Sequence, residues 1–265
     1  MTSLHMHPAE LAYAFSYSKT VDVVGWGSDP FQPSEVEKEE WYARGAARLL
    51  EIERLIDTEE GRRFTEGVTS AVLALADPMV VLLAERKVGD GLRRMTVHLT
   101  DDVILGMTRD KSGMFDLVQY ADLAAAVAAC AGFVGAALDP DQAGARIDTT
   151  QEALAGIKAQ AASGDTDAAA GSLTALGASP EDAASITRAL AKPVAAGMLS
   201  ILHCSANTTL HAEPYSVLTN AEHQTWAVFP LGSLKGPMVV EHSSVPALTA
   251  RILVSVAARL RDATA

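Results

Sequence analysis

The pattern of apolar and polar positions occurs twice along the chain, about 115 residues apart. In the first copy, residues 64–76 place apolar side chains at helical spacing. Residues 79–120 then form four apolar runs, separated by turn sequences such as Gly89-Asp90-Gly91. An alanine-rich segment over 121–134 predicts a closing helix. The short spacing between the runs favours hairpins over crossover connections. The first copy is therefore predicted to consist of a helix, an antiparallel meander and a second helix.

The second copy shows the same order of signals from residue 179 onward. Ser179, Pro180 and the acidic residues after them are typical of a helix start. Five short runs predict strands over 198–204, 208–212, 215–218, 224–230 and 237–242. An apolar stripe over 245–260 predicts a terminal helix. The fold class expected is α+β, with a pseudo-two-fold repeat of helix–antiparallel meander–helix units and a central helical insert.

The segment before the first copy predicts a short strand over 4–6 and a helix that begins at Pro8. A second helix is expected over 35–52, with Ser34 and Glu37 at the spacing of a capping box.

The segment between the copies is rich in Ala, Gly and Asp and predicts two poorly buried helices. They are broken near Gly164, and Asp165 is placed to cap the second helix. We therefore expect a single domain over 1–265. Its lobes, 1–136 and 178–265, are joined by the helical segment 137–177.

Composition and charge exclude several classes of protein. Hydrophobic residues make up 49% and charged residues 20% of the 265 residues, which is typical of a packed globular chain rather than a disordered one. The net charge is −12, and acidic residues outnumber basic ones in both halves, so we expect no nucleic-acid partner. The longest apolar stretch, 123–138, is shorter than a membrane span needs, so we expect no membrane insertion.

Candidate chemical groups are few and scattered. Cys130 and Cys204 have no CxxC partner, which argues against a disulfide framework and favours a reducing compartment. His203, His211 and Glu213 have the composition of an iron or zinc site but not a ligand spacing. Gly25-Trp26-Gly27 lacks the third glycine of a dinucleotide loop and predicts an ordinary turn. No cofactor is expected, and the chain reads as a binding protein rather than an enzyme.

Several segments, in their order along the chain, carry a family resemblance: Leu4–Leu11, Ser34–Leu55, Val72–Leu99, Leu173–Pro180, Thr225–Pro230, Met238–Val240 and Val245–Leu260. This series resembles the EspG family, the cytosolic chaperones of actinobacterial type VII (ESX) secretion systems. The resemblance covers nearly the whole chain. The loop over 88–92 and the central helical segment are shorter than in the family pattern.

The resemblance implies a non-enzymatic cytosolic chaperone that binds and solubilises a helical secretion substrate, PE/PPE-like or WXG-like. The partner-binding residues it implies lie in one hairpin tip and in the central helices: Lys87, Val88, Asp90, Leu92, Arg93, Leu154, Ile157, Leu173 and Leu176. The apolar side chains of the central helices fit a core role equally well. Alternatives are a stand-alone adaptor or immunity-type binding protein and a metal-dependent enzyme with an inter-lobe cleft. Homo-oligomerisation is also compatible with the sequence.

Overall fold

A computed structural model describes residues 3–18, 22–32, 37–138, 145–205, 208–233 and 235–263. Within these ranges the helices are α1 (Pro8–Ser18), α2 (Lys38–Glu51), α3 (Glu66–Ala76), α4 (Leu123–Phe133), α5 (Gln151–Ser163), α6 (Thr166–Ala175), α7 (Pro180–Ala191) and α8 (Val245–Ala263). The strands are β1 (Ser3–Met6), β2 (Leu55–Thr58), β3 (Gly61–Phe64), β4 (Val80–Val88), β5 (Gly91–Leu99), β6 (Ile104–Arg109), β7 (Phe115–Gln119), β8 (Arg146–Thr149), β9 (Ala195–Ser205), β10 (Thr208–Thr219), β11 (Thr225–Pro230) and β12 (Met238–Ser243).

The fold class is α+β, as predicted. The element order α3-β4-β5-β6-β7-α4 recurs as α7-β9-β10-β11-β12-α8. The pseudo-two-fold relation between the two copies stays a prediction.

In the described residues of the second copy the meander has four strands and not the predicted five, because β10 runs unbroken through Pro214. The ladder between β10 and β11 begins at Ser216, beyond Pro214. Proline has no N–H group to donate, but no hydrogen bond of that ladder is lost.

The chain divides into two compact units. Unit 1 comprises Met1–Leu82, Met95–Ala126 and Leu202–His211, and unit 2 comprises Leu83–Arg94, Val127–Ile201 and Ala212–Ala265. The predicted lobes over 1–136 and 178–265 stay a prediction.

Unit 1 packs α1, α2 and α3 on strands in the order β1-β7-β6. It also includes residues 80–82 of β4 and 95–99 of β5, and the rest of these two strands belongs to unit 2. In the β1–β7 ladder, Leu4 pairs with Leu117 and Met6 with Phe115. A Cβ at Gly45 of α2 would lie 2.1 Å from the carbonyl oxygen of Ala9, so α1 and α2 approach closely there. A separate two-stranded sheet, β2–β3, was not predicted from the sequence.

The start of α2 differs from the sequence expectation. The helix begins at Lys38, and its N-cap Glu37 makes no side-chain capping hydrogen bond. The predicted capping box was therefore wrong at Glu37, and its other member, Ser34, lies outside the described residues.

Unit 2 packs α5, α6 and α7 on strands in the order β10-β11-β12-β8. Residues 202–205 of β9 and 208–211 of β10 belong to unit 1. The predicted break is confirmed: Gly164 has φ +89°, and the Asp165 carboxylate accepts from the N–H of Ala168. The two helices are poorly buried, as predicted, since only Ile157 and Ala161 of α5 and Ala169 and Leu173 of α6 are buried. Strand β8, at the edge of the sheet, was missed.

Candidate partner-binding site

The loop between β4 and β5 forms an exposed hairpin tip, defined here as residues Lys87–Arg93. All seven residues of the tip are exposed. The two-residue connection Gly89-Asp90 has a positive φ of 58° at Gly89 alone, which fits a type II′ turn with glycine at its first central position. Val88 is 47% exposed and Leu92 is 61% exposed, so the tip presents aliphatic surface to solvent.

The base of the hairpin tip is held by an ion pair. The Arg94 guanidinium donates to the Glu85 carboxylate from Nη2 at 2.6 Å and from Nε at 2.9 Å. Their side chains are 31% and 15% exposed, so the pair is partly shielded from water. The guanidinium carbon of Arg86 lies 3.5 Å from the position that a Cβ on Gly135 would take. The ion pair therefore joins the two strands at the base of the tip, and Arg86 lies close to Gly135.

Of the four central-helix residues predicted for partner binding, two are enclosed in the core. Ile157 and Leu173 belong to the core cluster formed by α5, α6 and α7 with Trp226, and Leu154 packs against that cluster half-buried. Leu176, at the C-cap of α6, remains 37% exposed. Because Ile157 and Leu173 are enclosed, their apolar side chains stabilise the unit from within and present no surface to a partner.

The predicted turn at residues 25–27 is confirmed. Val23 and Gly27 form an isolated bridge, and Gly25 and Gly27 both have positive φ. His7 caps the start of α1. Its Nδ1 accepts from the N–H of Ala9 at 3.1 Å, and Glu10 accepts from the N–H of His7. Burial, followed by the charge of Arg48, lowers the pKa of His7, which keeps Nδ1 available as an acceptor.

The other chemical groups do not converge. In the part of the chain that the structure describes, no group of three or more His, Cys, Asp or Glu side chains could hold a metal ion. The rings of His203 and His211 have centroids 5.8 Å apart. Burial raises the pKa of Cys130 to about 12 and also raises the pKa of Cys204, so both thiols are protonated at neutral pH.

In the described part of the chain, no helix is long and apolar enough to cross a membrane.

Comparison with known proteins shows a likeness in fold. No family model matches the chain, and no curated protein matches it either. Among solved structures, it is similar to the chaperone EspG5 of the Mycobacterium tuberculosis type VII secretion system, which was solved in complex with the PE25–PPE41 dimer. The TM-score is 0.66, and the match covers 94% of both chains. The fold is that of EspG5.

The sequence identity to EspG5 is 13%. The EspG-type fold expected from the order of sequence segments is therefore confirmed as a fold, over nearly the whole chain.

The ion pair at the base of the tip was missed from the sequence. Its signal lies in the two-residue turn, which sets Glu85 opposite Arg94 once the two strands pair. Opposite charges directly across an antiparallel ladder stabilise each other, so the pair could have been found from the register alone.

Proposed function

We propose that this chain is a non-enzymatic cytosolic chaperone for a helical substrate of a type VII secretion system, PE/PPE-like or WXG-like. The observation that carries the proposal is the likeness to EspG5 over 94% of both chains, because that chaperone was solved holding the PE25–PPE41 dimer. A secretion substrate with an exposed apolar end aggregates in water unless another surface covers it.

The exposed hairpin tip supports this role. Val88 and Leu92 give it apolar side chains for a partner, and the Glu85–Arg94 pair holds their strands in one geometry before binding. A pre-organised contact loses little conformational entropy when the partner docks. A tip of seven residues also forms a small contact, which permits release of the client later.

The proposed contact surface contains fewer residues than the nine that the sequence analysis gave for partner binding. It comprises the exposed members of that set, which are Lys87, Val88, Asp90, Leu92, Arg93 and Leu176, with Leu154 at the margin. Ile157 and Leu173 hold α5 and α6 in place and do not touch the client.

Co-expression tests the proposal. The tagged chain is produced with each helical substrate pair encoded by the type VII secretion genes of its host, and complexes are isolated by affinity and size-exclusion chromatography. We expect one pair to co-elute in a defined stoichiometry and to be insoluble when expressed alone. If no pair co-elutes and none gains solubility, the chaperone proposal is wrong. Stoichiometric capture of an unrelated protein would favour the adaptor alternative.

A further inference from the structure

We infer that the client surface bound by the hairpin tip is an aliphatic patch with carboxylates around its edge. The inference rests on the proposed function and adds the chemistry of the partner. It follows from the charge of the tip and from the way its side chains are distributed over the two faces of the hairpin.

The charge at the tip is opposite to that of the whole chain. From Glu85 to Arg94 the hairpin carries four basic and two acidic residues, whereas the chain has a net charge of −12. Arg94 is paired with Glu85. Among the described residues, neither Lys87 nor Arg93 has a carboxylate within 4.0 Å, and both are exposed. Two cations at the tip are therefore left for a partner.

Each face of the tip carries one aliphatic side chain beside one cation. The two-residue turn sets Lys87 opposite Leu92, which places both on one face. Val88 and Arg93 lie on the other face, where Gly91 stands opposite Val88 and leaves it uncovered. The single carboxylate of the tip, Asp90, lies in the turn between them.

This arrangement selects among possible occupants. A purely apolar partner would bury Val88 and Leu92 but would also desolvate Lys87 and Arg93 without compensation, which is unfavourable. A basic partner would be repelled by the same two cations. An aliphatic patch with carboxylates at its edge satisfies both kinds of side chain at once. The occupant is thus an acid-rimmed aliphatic patch on the client.

Three synthetic helical peptides test the inference directly. Each has the same stripe of four leucines, and the positions that flank the stripe are all Glu, all Gln or all Lys. Binding of the fluorescein-labelled peptides is measured by anisotropy at low and high NaCl. We expect the Glu-rimmed peptide to bind roughly tenfold tighter than the Lys-rimmed one, and this preference to disappear at high salt.

Variants of the chain test which residues cause the preference for the Glu-rimmed peptide. The double variant Lys87→Gln/Arg93→Gln should abolish the preference for Glu, while the control Lys111→Gln/Arg63→Gln, which removes two exposed cations of unit 1, should retain it. Leu92→Ala should weaken the binding of the Glu-rimmed and Gln-rimmed peptides alike, since it removes aliphatic contact and no charge.

The outcomes separate the two proposals. Equal binding of the three peptides, no binding of the Glu-rimmed peptide, or a preference that survives Lys87→Gln/Arg93→Gln overturns the inference. If a secretion substrate pair still co-elutes with the chain, the chaperone function stands without the acidic rim. If the peptides behave as expected and no pair co-elutes, the tip chemistry stands and the chaperone proposal falls.

Discussion

Arg94 donates two hydrogen bonds to one carboxylate oxygen of Glu85, and the pair joins the strand that leads into the hairpin tip to the strand that leads out of it. The contact lies two residues from Lys87 in sequence and one from Arg93. It fixes the strands that carry the proposed client-binding side chains, so the geometry of the tip depends on it.

Removing this pair should loosen the tip. Glu85→Gln should lower the free energy of unfolding by about 1 kcal/mol, because water screens a pair whose partners are partly exposed. Chemical denaturation measures the loss, and hydrogen exchange at the amides of 87–93 should become faster. The charge swap Glu85→Arg/Arg94→Glu should recover part of the stability. A swap no more stable than Glu85→Gln would show that the pair does not hold the tip.

Leu92 should matter for client capture and not for folding. Leu92→Ser removes a side chain that is 61% exposed, so we expect the unfolding free energy to change by less than about 0.5 kcal/mol. Co-elution of the client should be lost. The matched control is Leu210→Ser, since Leu210 is 70% exposed on β10 in unit 1. Equal loss of client binding in both variants would contradict a specific role for the tip.

Two helical glycines should respond in opposite directions to alanine. At Gly45 the new Cβ would lie 2.1 Å from the Ala9 carbonyl oxygen, so α1 and α2 must separate, and Gly45→Ala should destabilise the chain by about 2–3 kcal/mol. Gly156 of α5 has no atom within 4 Å of the same position. Gly156→Ala should stabilise by about 0.5–1 kcal/mol through helix propensity. Thermal and urea unfolding measure both, and an unchanged stability of Gly45→Ala would contradict the close helix approach.

His98 should make the stability of the chain depend on pH. Burial lowers its pKa to about 3, and its Nε2 lies 2.9 Å from the hydroxyl of Thr96, which also accepts from Trp26. Below about pH 6.5 the unfolded chain binds a proton at this histidine that the folded chain excludes. Stability contributed by neutral His98 is therefore present above pH 6.5 and is lost as the pH falls towards 3.

The measurement compares urea unfolding between pH 7 and 4 for the native chain and for His98→Gln. We expect the native chain to lose up to about 1.4 kcal/mol per pH unit more than the variant below pH 6.5. Parallel pH profiles would show that His98 is protonated in the folded state or accessible to water.

Signals carried by neighbouring residues determined much of the structure. Ser179 caps α7 by accepting from the N–H of Asp182, and Asp165 caps α6 by accepting from the N–H of Ala168. Both contacts span three residues, so the sequence alone contains both partners. The exposed tip at Gly89-Asp90 was predictable for the same reason, because a two-residue turn is a local property.

Contacts between distant segments decided the rest. The sequence left Ile157 and Leu173 free to be surface or core, and they became core because α5 and α6 pack with α7 over Trp226 of β11. Strand β8 exists because β12 pairs with it, Ile147 opposite Val240. Local pattern sets which face of an element is apolar, but burial depends on what packs against that face. That choice is made by residues far away in the chain, and it enclosed Ile157 and Leu173, two of the residues predicted for partner binding.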